Sequence, residues 1–257
     1  MEELFPRVGG PGLAVAGHRA GAAAAGDQAA EPEAILPALN LPGRTYLVIK
    51  RIFDVVVSVA ALAIFGLCLP VLALIIKLDS PGPVFFCQER VGVNRRRQGR
   101  AGIGTERRRV LQPGRPFKVI KLRTMRTDAE AAGPRWASVN DARITRVGGF
   151  LRKTRIDEIP QFLNVLRGEM SLIGPRPERL VFVRQLEKEI PSYRDRLLVL
   201  PGITGLAQVR NGYDDSLESV RRKIAYDREY ITRAGLREDG RILLSTISVV
   251  LKGEGAR

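Results

Sequence analysis

From Val55 to Ile76 the chain reads VVVSVAALAIFGLCLPVLALII, 22 residues without a charge. As a straight helix this run extends about 33 Å, against a bilayer hydrocarbon core of about 30 Å. A buried helix of a soluble protein is the plainer alternative, but the length and the absence of charge both oppose it. Pro70 lies inside the run, where it removes a backbone hydrogen bond and is expected to bend or break the helix. Cations stand at both ends: Arg44, Lys50 and Arg51 before it, and Lys77 and an arginine-rich stretch after it. The positive-inside tendency holds both flanks on the cytoplasmic side. A re-entrant helix that enters, turns at Pro70 and returns satisfies both observations, and spanning stays open as the alternative.

The 257 residues carry 42 Lys plus Arg against 27 Asp plus Glu, a formal charge of +15. The excess is concentrated. Between Arg90 and Arg126 thirteen cations face one acid, Glu106. Such a patch suits nucleic acid, anionic lipid headgroups or a phosphorylated substrate, or it is a solvated arginine-rich loop. Two cysteines, Cys68 and Cys87, make neither a disulfide framework nor a metal cluster and fit a reducing compartment. The one histidine, His18, lies in low-complexity sequence, which argues against histidine-dependent catalysis.

Residues 1–43, rich in Ala, Gly, Pro and Glu, read as a disordered tail rather than a signal peptide. The hydrophobic helix is set at 44–79 and a cytoplasmic catalytic domain at 80–257, with a basic loop insertion near 94–114. Strands are expected in DSPGPVFFCQERVG and in RPFKVIKLRTM. Helices are expected near 158–167, 178–190, 215–233 and 241–252, stopped in turn by Gly168, Pro191 and Gly253 where such residues follow. The fold class is mostly α-helical with a small β component (α+β), membrane-associated. The last helix, RILLSTISVVLK, suits either docking into the core or lying amphipathically at a membrane interface.

RIDEIPQFLN places Asp157 and Glu158 side by side in a basic chain. Asp157 has the character of an N-cap, and Pro160 is tolerated in a first turn, so both acids are expected at a helix N-terminus. That accounts for the pair as a cap and a dipole complement. A second account adds phosphate chemistry. A helix N-terminus also binds phosphate, Arg176 is preset between Pro175 and Pro177, and Arg152 lies within reach. Two carboxylates facing phosphate repel it unless a hard cation such as Mg²⁺ intervenes, and an aspartate can attack phosphorus directly.

Taken in order, KRIFDVVVS, SPGPVFFCQERVG, FKVIKLRTM, RITRVGGFLRKTRIDEIPQFLNVLRGEMSLIGPRPE and PGITGLAQV resemble the bacterial sugar transferases, the monotopic polyprenyl-phosphate glycosyl-1-phosphate transferases. The resemblance covers Lys50 to Arg257. It implies transfer of a sugar-1-phosphate from a UDP-sugar to undecaprenyl phosphate with release of UMP, at the start of exopolysaccharide, capsule, O-antigen or related glycan assembly. By that resemblance Asp157 is the nucleophile that forms a phospho-sugar aspartyl intermediate, and Glu158 its partner and Mg²⁺ ligand. Arg152, Arg176, Lys121 and Arg123 line the phosphate site, and Pro201, Gly202, Thr204, Gly205 and Gln208 form a nucleotide-side loop. It further implies a re-entrant helix broken at Pro70, interfacial helices in contact with membrane lipids, and a catalytic domain on the cytoplasmic face of the bacterial inner membrane. No nucleic-acid partner is expected, and a homodimer is compatible but demanded by no motif.

The chain departs from the family pattern at three places. Leu69, rather than serine, precedes Pro70; the stretch 94–113 is longer and more basic than a turn; and the first 43 residues do not resemble the four-helix module of long members. Two competing readings are a membrane-tethered protein that grips nucleic acid or lipid through its basic patch, and a catalytically silent scaffold. The first leaves the acid pair unexplained, and the patch has only Phe117 for stacking.

Overall fold

A computed structural model of the chain describes residues 41–94, 113–131, 133, 141–211 and 217–252. Most of the basic stretch 94–114, most of the N-terminal tail and Gly253 lie outside the described residues.

Helix α1, Arg44–Asp79, is 36 residues long and corresponds to about 54 Å if straight. Only Asp54, Ser58, Phe65 and Ile76 are buried along it. Their spacings of four, seven and eleven residues put them on one stripe of the cylinder. Large apolar side chains cover much of the remainder, among them Ile52, Val56, Ile64, Leu67, Val71 and Leu78, all exposed to the surroundings of the protein. A soluble core helix hides such a surface; this helix does not. The break anticipated at Pro70 is absent as an interruption, because α1 continues through that residue. One missing N–H removes a single helical bond, and the turns on either side hold the element together.

Both ends of α1 are fastened to the rest of the fold. Near its start Lys50 Nζ reaches Asp239 Oδ2 at 2.8 Å. Arg51 donates to the carbonyls of Val165 and Leu166 at 2.6 and 2.9 Å. At its far end Asp79 Oδ2 accepts from Val147 N at 3.0 Å.

Strands β1 (Phe85–Val91) and β2 (Pro116–Leu122) form an antiparallel pair with Cys87 opposite Ile120 and Gln88 opposite Val119. In β2 the alternating residues Phe117 and Val119 enter the core, and Lys121 continues along that face. Helix α2 (Arg146–Lys153) begins where Thr145 Oγ1 accepts from Gly148 N at 3.0 Å. It is followed by a 3₁₀ turn, Ile156–Gln161, and a short helix α3, Phe162–Leu166. Strand β3 (Ser171–Ile173) pairs in parallel with β4 (Gly202–Thr204). Between them lie α4 (Leu180–Glu189) and a second 3₁₀ segment, Pro191–Leu198. Helices α5 (Leu206–Arg210), α6 (Leu217–Arg233) and α7 (Leu236–Lys252) complete the order.

The main core gathers Phe117 and Val119 of β2 with Met170, Leu172 and Ile173 around β3, and Tyr230, Ile231 and Ile242 from α6 and α7. A second cluster joins Val183 and Leu186 of α4 to Val220 and Ile224 of α6. The third, Phe65, Ile76, Leu122 and Leu151, attaches α1 to β2 and α2.

The mostly helical architecture with a small sheet component agrees with the sequence reading, and two of the expected helices differ from it in detail. The element expected as a helix over 158–167 begins as a 3₁₀ turn and becomes α-helical only at Phe162. Arg155 precedes it in the left-handed region (φ 59°), so Asp157 sits inside the turn and is not its cap. The last helix starts at Leu236 rather than 241, immediately after Gly235 and with Glu238 and Asp239 in its first turn.

The β3–β4 contact leaves no room for side chains. A Cβ on Gly174 would strike Leu200 O and Gly202 N, one on Gly202 would strike Gly174 N, and one on Gly205 would strike Gly174 O. The glycines of PGITG are therefore required by close backbone packing.

Candidate active site

Four elements meet around the acid pair. The 3₁₀ turn brings Asp157 and Glu158, β2 brings Lys121, α2 brings Arg152, and the Pro-Arg-Pro segment after β3 brings Arg176. All five line one cavity of about 530 Å³. Both acids are buried, at 6% and 7% exposure.

Their surroundings differ. Glu158 Oε1 accepts from Lys121 Nζ at 2.6 Å and from Arg176 Nη2 at 2.8 Å. Asp157 Oδ1 is buried with no hydrogen-bond partner among the described residues. Burial raises the Glu158 carboxyl, but Arg176 and Lys121 together outweigh it and hold the group well below its ordinary value. Asp157 goes the other way. Burial pushes it up to about 6, with Lys121, Arg152 and Arg155 opposing and Glu158 reinforcing. The environments separate two adjacent carboxyls, so one stays ionised as a fixed partner and the other ionises only near neutrality. Burial also draws Lys121 and Arg152 below their ordinary values. A buried carboxylate with one oxygen unengaged, facing a cation-lined cavity, is suited to attack on a phosphorus centre.

Behind Arg176 lies a fully paired set of charges. Arg196 donates to the Arg176 carbonyl at 2.8 Å and to Tyr193 Oη at 2.9 Å. It also pairs with Asp227 at 2.9 Å, both side chains being 2% exposed. Glu178, on the cavity wall, accepts from Lys223 at 2.7 Å and from Arg90 at 3.3 Å. Burial raises its carboxyl, but Lys223, Arg90 and Arg196 bring it down to about 2.

The remaining expected site residues divide. Arg123 lines the cavity, yet its guanidinium turns to the carbonyls of Ser80, at 2.7 Å, and Pro81, clamping the exit of α1. Gln208 lines the cavity and donates to Ile203 O at 2.9 Å. Pro201, Gly202, Thr204 and Gly205 are not among the cavity-lining residues. They build or flank β4, and Thr204 Oγ1 meets Thr246 Oγ1 at 2.7 Å. Sequence reasoning missed Arg155, Glu178 and Lys223, which also line the cavity. Arg155 lies two residues before Asp157, and Glu178 directly follows Pro-Arg-Pro, so local spacing held a signal for both. Lys223 carried none.

The pattern for bacterial sugar transferases matches residues 45–253. The chain belongs to the bacterial sugar transferase family. This sugar transferase is 43% identical over 217 residues to the UDP-N-acetylgalactosamine-undecaprenyl-phosphate N-acetylgalactosaminephosphotransferase of Aeromonas hydrophila, covering 84% of this chain and 47% of the relative. It is 41% identical over 209 residues to the UDP-glucose:undecaprenyl-phosphate glucose-1-phosphate transferase of Caulobacter vibrioides, covering 80% and 71% respectively. With the exopolysaccharide production protein PSS of Rhizobium leguminosarum bv. phaseoli it shares 39% identity over 216 residues, 81% of this chain and 98% of the relative. The sugar transferase thus spans about half the length of the Aeromonas relative and nearly all of the Rhizobium one.

Proposed function

We propose that this sugar transferase moves a sugar-1-phosphate from a UDP-sugar to undecaprenyl phosphate and releases UMP, by way of a covalent intermediate on Asp157. The observation that carries the reading is Asp157 in a cavity lined also by Lys121, Arg152 and Arg176, with its buried Oδ1 unpartnered among the described residues. The names of the relatives supply the substrate classes.

In the first step an Asp157 carboxylate oxygen bonds to the phosphorus that carries the sugar. The bond from that phosphorus to the bridging oxygen breaks, and UMP leaves with the electron pair. In the second, a phosphate oxygen of the lipid acceptor bonds to the same phosphorus and the Asp157 carboxylate departs. Lys121, Arg152 and Arg176 offset negative charge on the phosphoryl oxygens in both steps. Glu158, held ionised by two cations, keeps Lys121 and Arg176 aimed at the cavity.

The residues present fit a magnesium ion. A hard cation of this size takes one or two protein carboxylates together with phosphate oxygens and water. Glu158, next in the chain to Asp157 with its unengaged Oδ1, offers that carboxylate. When bound, the ion would withdraw charge from the phosphate oxygens.

The acceptor is a membrane lipid and the donor is soluble, so the site belongs at the cytoplasmic surface of the inner membrane. That both flanks of α1 lie on one side of the bilayer is supported by its attachment at both ends to one domain, through Lys50 and Arg51 at the start and Asp79 at the exit. A spanning helix parts its ends by about 30 Å of hydrocarbon.

The test is UMP release from a panel of UDP-sugars by the membrane-reconstituted protein with undecaprenyl phosphate and Mg²⁺, beside Asp157→Asn. A labelled donor without acceptor should leave label on the parent protein and none on the variant. Equal turnover by Asp157→Asn sinks the proposal.

A further inference from the structure

Asn164 is completely buried and lies outside the cavity-lining set. Its amide nonetheless makes three hydrogen bonds, and two of them go to the backbone of β2. Oδ1 accepts from Ile120 N at 3.1 Å, and Nδ2 donates to Lys118 O at 2.7 Å and to Glu169 Oε2 at 2.7 Å. Taking the N–H of residue 120 and the C=O of residue 118 is what a parallel strand does opposite residue 119. One side chain therefore occupies the edge of β2 that β1 leaves unpaired. Neither aspartate nor glutamine replaces it: the first lacks both donors, and the second is longer by a methylene in a filled space.

The contact closes a ring. Glu158 sits six residues before Asn164, in the turn that runs directly into α3. Asn164 grips Ile120 N, the adjoining residue is Lys121, and Lys121 Nζ returns to Glu158 Oε1. Lys121 lies two positions along the strand from Val119, on the same face and about 7 Å on. A slip of β2 by one residue would swing that ammonium to the opposite face.

We infer that Asn164 is a positioning residue for the reaction: its amide locks β2 to the helix following the acid pair and so holds Lys121 against Glu158. This rests on the reading of the site proposed above. Asn164 is not a lining residue, so its removal acts on the chemistry through the residues it positions, Lys121 first among them.

The experiment is a double-mutant cycle on the full chain in lipid nanodiscs, with UMP release as the assay. Asn164→Ala should lower kcat about tenfold to a hundredfold and leave KM for the UDP-sugar within about twofold. In a Lys121→Met background the same substitution should add almost nothing, because the group it positions is already gone. Losses that multiply in the double variant, or a raised KM with kcat preserved, would overturn the inference. Should Asn164→Ala fail to fold, Glu169→Ala frees one of the three bonds and should give a smaller loss that also vanishes beside Lys121→Met. A readout independent of turnover is amide hydrogen exchange over 118–122, which should quicken in whichever of these two variants folds; unchanged protection there overturns the inference as well. Failure of the parent protein to release UMP counts against the proposed reaction, and the exchange result still decides whether Asn164 holds β2.

Discussion

Two groups of buried charge stand back to back around Arg176, and they are built to different rules. In the rear group each charge is matched: Arg196 is spread over Asp227, Tyr193 and the Arg176 carbonyl, and Glu178 takes Lys223 and Arg90. In the front group Glu158 is doubly paired while Asp157 keeps an oxygen with no partner among the described residues. Burial is common to both, so burial alone does not mark a reactive group. Among these buried acids, incomplete pairing beside the cavity sets Asp157 apart.

The sharpest way to break this comparison is to neutralise one acid from each group. Asp157→Asn should lower UMP release by about three orders of magnitude or more, since it removes the proposed nucleophile. Asp227→Ala leaves the Arg196 guanidinium buried against a lost partner and should destabilise the fold by about 3–5 kcal/mol, read by denaturant unfolding in lipid nanodiscs.

Stability should move the opposite way at the front. The Asp157 carboxyl is raised from 3.8 to about 6 in the folded protein, so its ionisation opposes folding. That stability is present below pH 3.8 and is lost as pH rises through 6. Asp157→Asn should therefore be more stable than the parent at neutral pH, by on the order of 3 kcal/mol. The gap should open between about pH 4 and 6 and then hold constant. Glu178 has the reverse sign: its folded value is lowered from 4.5 to about 2, so its contribution is present above 4.5 and lost as pH falls through 2. Glu178→Gln should thus matter at pH 7 and cease to matter in strong acid. Melting curves of both variants against pH separate the two groups.

The smallest effect concerns the pH profile. The parent's kcat/KM should fall on the acid side near pH 6, where Asp157 takes up its proton. Of the cations that oppose the rise of Asp157, Lys121 acts most strongly, so in Lys121→Met that limb should move to higher pH. A limb that stays in place would place the titration on some other group.

Much of this was readable in the chain. The 36-residue α1 followed from an uncharged run with cationic flanks, and the meeting of Asp157, Glu158, Arg152 and Arg176 from short spacing and paired prolines. What escaped depends on contacts between distant residues. Strands β3 and β4 have three residues each, too few for any periodicity to register. The left-handed Arg155 and the 3₁₀ course after it depend on how the turn seats against β2, which no cap or propensity rule encodes. The tie between Asn164 and Ile120 crosses 44 positions. Likewise PGITG is a nucleotide-side loop only by the family resemblance, whereas its glycines answer to the backbone of Gly174, nearly thirty residues earlier.

That glycine contact bears on how the chain can change over generations. At Gly174, Gly202 and Gly205 the obstacle to a side chain is main chain on the opposing segment. Trimming a neighbouring side chain cannot make room, since no side chain stands in the way. A lineage that loses one of these glycines therefore has no compensating substitution nearby and recovers only by reversion or by rebuilding both segments together. The three positions change together or not at all.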